Sequence, residues 1–215
     1  MSTGRLEPEI SKKSAVLGAT QQDRHTVQIR VGFFAGSFDP IHDGHVAVAN
    51  SAILDLELDQ LYFMVEEMPW GDKSPASLDN RCQMVDLAIE NHEKMQQLKI
   101  KDKQFSISNT LLEIEQKFAG SELYFIFGAD VFMHMNSIQW PGLEKLLEHY
   151  LVVFERGNIR EHQISDHAVE LGVAIAVLPS EHLHHSSSDV RLKPHEKSIW
   201  VTEKVSNYIK INNIY

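Results

Sequence analysis

Two kinds of apolar pattern alternate along this chain, and their order predicts its fold. Short runs rich in β-branched and aromatic residues, typical of buried strands, occupy residues 27–33, 61–65, 98–100, 123–127, 151–154 and 173–178. Segments with apolar residues every three or four positions, typical of helices, occupy residues 46–56, 77–89, 106–118, 143–147 and 205–209. A further helix is expected within residues 156–171. This alternation predicts an α/β fold with a doubly wound parallel sheet in a single domain.

Capping residues predict where two of the helices begin. Ser77 precedes an apolar-periodic segment and is typical of an N-cap. Ser108 or Asn109 is expected to start the next helix, with Leu112 among its inward-facing residues.

Composition indicates one globular domain after an N-terminal extension. Residues 1–26 show no periodicity and are rich in Lys, Glu, Ser and Gln, so we expect a flexible extension ahead of a domain at residues 27–215. The extension lacks an apolar signal core, and no apolar run approaches the length of a membrane span. Cys82 is the single cysteine, which excludes an internal disulfide and favours a cytoplasmic location.

Charge narrows the set of partners. The formal net charge of −10 argues against a nucleic-acid-binding surface, which needs clustered Lys and Arg. An anionic small molecule would therefore be held locally, by helix N-termini and a few placed cations. The sequence does not indicate an oligomeric state and is compatible with a homo-oligomer.

Residues 34–45, FAGSFDPIHDGH, join the first predicted strand to the first predicted helix. Such a turn lies at the carboxyl end of a strand, where open α/β sheets bind ligands. Gly36 permits close approach of a ligand to the backbone, and Gly44 leaves the helix N-terminus uncrowded. His42 and His45 add two imidazoles that can donate hydrogen bonds to phosphate. The pattern suits a polyphosphate, although an ordinary turn with two histidines is the alternative.

Residues 184–191, HHSSSDVR, form a second candidate motif after the last predicted strand. Three serines supply hydroxyls, and Arg191 follows Ser188 by one helical turn. A guanidinium there can bind phosphate oxygens through two N–H groups. A capped turn with a surface arginine is the alternative. Because both motifs follow a strand and precede a helix, we favour a shared phosphate site.

Three further histidines lie beside the second motif. The spacing of His182, His184 and His185 fits no common zinc pattern, so we predict no metal held by protein side chains.

The two motifs together resemble the nucleotidyltransferase superfamily with the His-x-Gly-His signature. GSFDP followed by HDGH is similar to its adenylyltransferase branch, and SSSDVR is similar to its Ile-Ser-Ser-Thr-x-Ile-Arg element. In the latter, Ser188 stands for the Thr and Val190 for the second Ile. The resemblance covers about residues 27–215 and implies a Rossmann-like sheet that binds ATP.

The order of the remaining motifs resembles the bacterial nicotinate-mononucleotide adenylyltransferases. Residues 128–130 match their Gly-x-Asp element, and Trp140 follows it. Residues 106–110, SISNT, partly match a Ser-Tyr-Thr element. In the loop that usually carries Pro-His-Lys, residues 70–72 read WGD before Lys73.

The resemblance implies transfer of AMP from ATP to nicotinate or nicotinamide mononucleotide, which gives a dinucleotide and pyrophosphate in NAD biosynthesis. Mg²⁺ would enter bound to the phosphates of ATP. The implied catalytic residues are His42, His45 and Arg191. The implied ATP-binding residues are Gly36, Ser37, Phe38, Gly44, Gly128, Asp130, Ser187 and Ser188. The implied acceptor-binding residues are Lys73, Arg81, Thr110 and Trp140.

Three alternatives stay open. The triple serine and GSFDP are also similar to phosphopantetheine adenylyltransferases, and a cytidylyltransferase is a second choice of chemistry. The altered loop at residues 70–72 is compatible with a catalytically silent nucleotide sensor.

Overall fold

Six strands form one parallel sheet in the computed structural model of this chain. The structure describes residues 28–68, 76–136, 138–179, 186–193, 196 and 198–215, so the predicted N-terminal extension lies outside the described residues. The strands are β1 Arg30–Gly36, β2 Gln60–Val65, β3 Met95–Gln97, β4 Glu122–Gly128, β5 Tyr150–Phe154 and β6 Ile175–Leu178.

Helices connect the strands and cover both faces of the sheet. They are α1 Asp43–Asp55, α2 Leu78–Ile89, α3 Leu112–Lys117, α4 Ala129–Phe132, α5 Leu143–Leu146, α6 Glu161–Leu171, α7 Ser187–Leu192 and α8 Glu203–Ile211. A π-helical turn, Ile107–Leu111, precedes α3, and a short 3₁₀ turn, Ser198–Trp200, precedes α8.

The strand order β3-β2-β1-β4-β5-β6 puts β1 in the middle of the sheet. From β1 the chain proceeds outward through β2 to β3, then crosses to β4 on the other side of β1. The connections at the carboxyl ends of β1 and β4 therefore diverge to opposite faces, which opens a crevice between them.

Two apolar cores fill the space between the sheet and its helices. Adjacent residues of a strand point to opposite faces, so Phe34 belongs to the core under α1, α2 and α8, and Phe33 to the other. The second core includes Phe105, Phe125 and Trp140. Both faces of the central strands are thus buried, as an all-parallel sheet requires.

The predicted doubly wound parallel sheet is confirmed, and two strand positions need correction. Strand β1 begins at Arg30, later than the predicted start at residue 27. The third strand is Met95–Gln97 and not residues 98–100. The backbone N–H of Leu98 still donates to the carbonyl of Phe63, but the chain leaves the sheet there. This edge strand forms by pairing with β2, and its polar sequence gives no apolar signal.

The start of the helix predicted at residues 106–118 also differs. Ser106, rather than Ser108 or Asn109, is the N-cap, because its hydroxyl accepts from the backbone N–H groups of Asn109 and Thr110. The wider π-helical turn rotates the following residues, and Leu112 is left exposed. The N-cap role predicted for Ser77 is confirmed by its bond from the N–H of Asn80.

In the part of the chain that the structure describes, no helix has the length and apolar character that crossing a bilayer requires.

Candidate active site

A cleft of about 620 Å³ opens at the carboxyl edge of the sheet, where β1 and β4 diverge. Both sequence motifs contribute to its walls, although residues 36 and 188 are far apart in the chain. The predicted site residues that line it are Gly36, Ser37, Phe38, His45, Gly128, Asp130, Trp140, Ser187, Ser188 and Arg191.

The first motif leaves β1 through a strained residue held by the core. Phe38 has a φ of 45°, a left-handed conformation that costs a bulky residue free energy. Its buried ring packs against His45, with ring centroids 5.2 Å apart, and against Phe63 at 5.3 Å. This packing offsets the strain and aims residues 36–38 at the cleft.

His45 is the imidazole that reaches the cleft. Its Nδ1 accepts a hydrogen bond of 3.2 Å from the backbone N–H of His42. An accepting ring nitrogen carries no hydrogen, so the neutral ring of His45 keeps its hydrogen on Nε2. His42 occupies the N-cap of α1, and its ring lies 3.7 Å from that of His45 between centroids. His42 therefore lies beside His45, with the two rings tilted by 31°, and is not part of the cleft lining.

The second motif is attached directly to the first. The Ser187 hydroxyl donates to the carbonyl of Pro40 over 2.9 Å. Arg191 donates through Nη1 to the carbonyl of Asp39 at 2.5 Å and through Nη2 to the hydroxyl of Ser188 at 2.9 Å. These bonds hold the serines and the guanidinium at the mouth of the same cleft as His45.

The buried carboxylate of Asp39 contacts several residues at the place where the two motifs meet. Asp39 accepts from the backbone N–H of Ala76 at 3.1 Å and from the Tyr215 hydroxyl at 2.6 Å, and it lies 3.4 Å from Nη1 of Arg191. Burial, together with the bond to Asp39, raises the pKa of Tyr215 above its usual range. The last residue of the sequence thus stabilises the first motif.

The carboxyl end of β4 brings an acidic side chain to the opposite wall. A Cβ atom on Gly128 would lie 2.5 Å from Oδ1 of Asp130, so the close approach of this carboxylate requires glycine. Asp130 Oδ2 lies 3.5 Å from Nε of Arg156, which follows β5 and lines the cleft. Arg156 was not predicted as a site residue.

An aromatic end closes the cleft on the side of β2. The ring of Trp140 lies 6.3 Å from that of Phe105 and 6.0 Å from that of Phe127, measured between centroids. Glu66, the first residue after β2, also lines the cleft, and its Oε1 accepts from the backbone N–H of Phe105 at 2.9 Å. Sequence reasoning missed Glu66 as well. The available signal was a charged residue immediately after a strand end.

Arg81 lies in a different place from the one expected of a substrate contact. Its guanidinium is buried and donates to four backbone carbonyls at distances of 2.6 to 3.1 Å, those of Ser37, Glu66, Glu67 and Ala76. Ser37 and Glu66 line the cleft, but Arg81 does not. Burial lowers the pKa of this guanidinium, and the carboxylate of Asp39 opposes that effect. Arg81 therefore holds the backbone that carries the cleft residues.

Two further predicted residues lie outside the cleft lining. Thr110 is buried and donates to Asp102 at 2.9 Å, which stabilises the start of the π-helical turn. Gly44 is buried in the first turn of α1. Lys73, residues 70–72 and the histidines at 182, 184 and 185 lie outside the described residues.

Within the described ranges, no group of three His, Cys, Asp or Glu side chains is arranged to hold a metal ion.

The chain is similar in sequence to known proteins. The sequence model of the cytidylyltransferase-like family matches residues 33–193. A probable nicotinate-nucleotide adenylyltransferase of Clostridium beijerinckii is 32% identical over 86% of this chain and 98% of its own length. The corresponding protein of Bacillus cytotoxicus is 28% identical over the same shares.

The fold is also similar to that of a solved structure. Plasmodium falciparum nicotinic acid mononucleotide adenylyltransferase, complexed with NaAD, superposes with a TM-score of 0.72 at 18% identity. The match covers 87% of this chain and 98% of the other.

Proposed function

The chain belongs to the cytidylyltransferase-like family and, within it, to the nicotinate-nucleotide adenylyltransferases, and we propose how its residues transfer AMP from ATP to the acceptor nucleotide. It is a nucleotidyltransferase that transfers AMP from ATP to nicotinate or nicotinamide mononucleotide, giving a dinucleotide and pyrophosphate. The observation that carries the assignment of roles is the junction of the two motifs. Ser187 and Arg191 bond to the carbonyls of Pro40 and Asp39 at the mouth of a cleft that Trp140 also lines.

The phosphates of ATP are expected at this junction. His45, whose Nδ1 accepts a backbone hydrogen bond, has Nε2–H as its donor, and it lines the cleft together with the guanidinium residue Arg191. Ser188 adds a hydroxyl bonded to Arg191. Mg²⁺ would enter bound to the phosphates, because this ion keeps several waters and is commonly held through substrate phosphates.

The nucleoside part of ATP fits the wall formed by β4 and β5. Gly128 leaves room for the carboxylate of Asp130, whose oxygens can accept from ribose hydroxyls. Arg156 holds that carboxylate in place and adds positive charge near the nucleotide. The pyridine ring of the acceptor would lie at the aromatic end, against Trp140.

Catalysis needs no protein nucleophile. The phosphate of the acceptor attacks the α-phosphorus of ATP in line, and the bond to the β-phosphate oxygen breaks as pyrophosphate departs. His45 and Arg191 would stabilise the charge that grows on the departing pyrophosphate. His42, whose ring contacts that of His45, would fix its position. The contribution of the protein is thus alignment of the two substrates and stabilisation of charge.

A panel of acceptors tests this function. Purified protein receives ATP, Mg²⁺ and, one at a time, nicotinate mononucleotide, nicotinamide mononucleotide, phosphopantetheine or FMN, and pyrophosphate release is followed. Turnover with the pyridine mononucleotides is expected. A clear preference for phosphopantetheine or FMN would replace the acceptor but keep the chemistry. Tight ATP binding without turnover of any acceptor would favour the nucleotide sensor.

A further inference from the structure

The aromatic end of the cleft carries a carboxylate where a pyridine substituent would lie. Glu66 follows β2 directly, is 6% exposed and lines the cleft together with Trp140. Its Oε1 accepts from the backbone N–H of Phe105, whose ring lies 6.3 Å from that of Trp140 between centroids. Glu66 is thus anchored to the segment that carries Phe105, next to Trp140.

The backbone of Glu66 is held by two hydrogen bonds. The backbone N–H of Glu66 donates to the carbonyl of Gly36 at 3.0 Å, and its carbonyl accepts from Arg81 at 2.6 Å. The side chain therefore starts from a backbone fixed at both ends and stays at the cleft wall.

The positive charge of Arg81 lies behind this wall. Its guanidinium is 1% exposed and directs its bonds to backbone carbonyls, including those of Ser37 and Glu67. A ligand in the cleft meets the carboxylate of Glu66 before it meets that guanidinium. Glu66 therefore presents its carboxylate to the cleft, whereas Arg81 is not part of the lining.

The two forms of a pyridine mononucleotide respond differently to such a group. The carboxamide of nicotinamide mononucleotide has two N–H donors that a carboxylate oxygen can accept. The carboxylate of nicotinate mononucleotide has acceptors only and carries the same sign of charge, so its approach is repelled. The carboxylate therefore attracts one form and repels the other, and both effects change the ratio of the two affinities.

Resting on the proposed function, we propose that Glu66 is a specificity-determining residue that shifts acceptor choice from the carboxylate toward the carboxamide form of the pyridine mononucleotide. Nicotinamide mononucleotide is then a substrate of this enzyme in its own right.

The test compares kcat/KM for the two acceptors in the wild-type protein and in Glu66→Gln. Glutamine keeps an oxygen that can accept from the N–H of Phe105 but removes the charge. The ratio of nicotinamide to nicotinate mononucleotide activity is expected to fall about tenfold or more, with the KM for ATP unchanged. Glu67→Gln is the matched control, because Glu67 is the exposed neighbour and its side chain is not part of the cleft lining. Its ratio should equal that of the wild type.

Two outcomes would overturn the inference: no turnover of nicotinamide mononucleotide by the wild type, or an unchanged ratio in Glu66→Gln. Glu66→Ala, which also removes the charge, gives an independent measurement if the glutamine variant does not fold. Activity with neither pyridine mononucleotide would instead refute the proposed function, so the two failures are distinguishable.

Discussion

His45 and Arg191 reach the same cleft by different kinds of support. One backbone N–H, from His42, determines which nitrogen of His45 carries the hydrogen. Arg191 is held by a carbonyl and a hydroxyl and lies beside the buried carboxylate of Asp39. The histidine is therefore set within its own helix turn, whereas the arginine depends on residues about 150 positions earlier in the chain.

Removal of the His45 imidazole should slow chemistry more than it weakens binding. His45→Ala is expected to lower kcat roughly 10²–10³-fold, because one preorganised donor to developing charge is lost. The KM for the pyridine mononucleotide should change much less, since that substrate is proposed to bind at the Trp140 end. Steady-state kinetics with both substrates varied measures the two effects. His162→Ala, in an exposed residue of α6, is the control. Near-normal kcat in His45→Ala would refute the role given to this side chain.

Sequence patterns found the residues that belong to local motifs and missed those that act through tertiary contacts. His45, Ser187 and Arg191 belong to short motifs whose spacing is visible in the chain. Glu66 and Arg156 lie within two residues of strand ends, each beside a second charged residue, and nothing local separates them from solvated loop residues. Their positions in the cleft depend on which strands become neighbours.

At the level of elements, Arg81 connects segments that the sheet alone does not join. It extends from α2 to the turn after β1, through Ser37, and to the loop after β2, through Glu66 and Glu67. The sequence resemblance assigned this arginine to substrate. Its burial could not be read from the helix pattern, because a charged residue on a helix usually faces solvent.

Arg81→Lys should therefore destabilise the protein. An ammonium group cannot reach four carbonyls from one position, and unsatisfied buried carbonyls cost free energy. The free energy of unfolding is expected to fall by about 2–4 kcal/mol in urea denaturation. Arg160→Lys, at the N-cap of α6, is the matched control and should change it little. Unchanged stability together with a large rise in the acceptor KM would restore the substrate-contact hypothesis for Arg81.

Tyr215 links the C-terminal segment after α8 to the turn after β1. Its hydroxyl donates to the buried carboxylate of Asp39, so Tyr215→Phe should lower the free energy of unfolding by about 1.5–3 kcal/mol. The folded state raises the pKa of Tyr215 above its ordinary 10.0, so this contribution is complete below pH 10 and is lost as the pH rises further.

Denaturation at pH 8 and at higher pH measures both effects. The difference between the wild type and Tyr215→Phe should shrink as the pH rises above 10. Tyr208→Phe is the control, because its hydroxyl donates to the neutral amide oxygen of Asn80. A difference that stays constant with pH would contradict the role of the Asp39 bond.

Strands and helices could be predicted from the sequence wherever apolar residues recur at a regular spacing or in an unbroken run. The strands β2, β4 and β5 carry nearly unbroken apolar runs and were predicted within one residue of their observed bounds, whereas β1 is displaced by three residues. Strand β3 has the sequence MQQ and exists because β2 offers it a partner edge. The π-helical turn at Ile107–Leu111 depends on the bonds of Ser106 and Asp102, which helix periodicity does not predict.

The whole molecule binds two anionic substrates although its net charge is −10. Two cations of the cleft, Arg156 and Arg191, lie beside carboxylates that fix their positions. We therefore expect phosphate binding to depend on local geometry where the two motifs meet. A nucleotide that contacts both motifs would join segments from the two ends of the domain. Its binding should therefore raise the melting temperature of the whole domain.

Ligand-linked stability tests this view of the whole molecule. Mg²⁺ and ATP at 100 times Kd should stabilise the protein by about 2.7 kcal/mol, which corresponds to a rise in melting temperature of roughly 5–10 °C. Arg191→Lys should reduce that rise, because an ammonium cannot reproduce the two-pronged contact. Trp140→Leu should keep the rise with ATP but lose the rise with a pyridine mononucleotide, since it removes the ring surface while leaving the phosphate end intact. Thermal unfolding of the three proteins with each ligand separates the two ends of the cleft. Equal loss of both shifts in both variants would mean that the ends do not bind independently, and the division of the cleft argued here would be wrong.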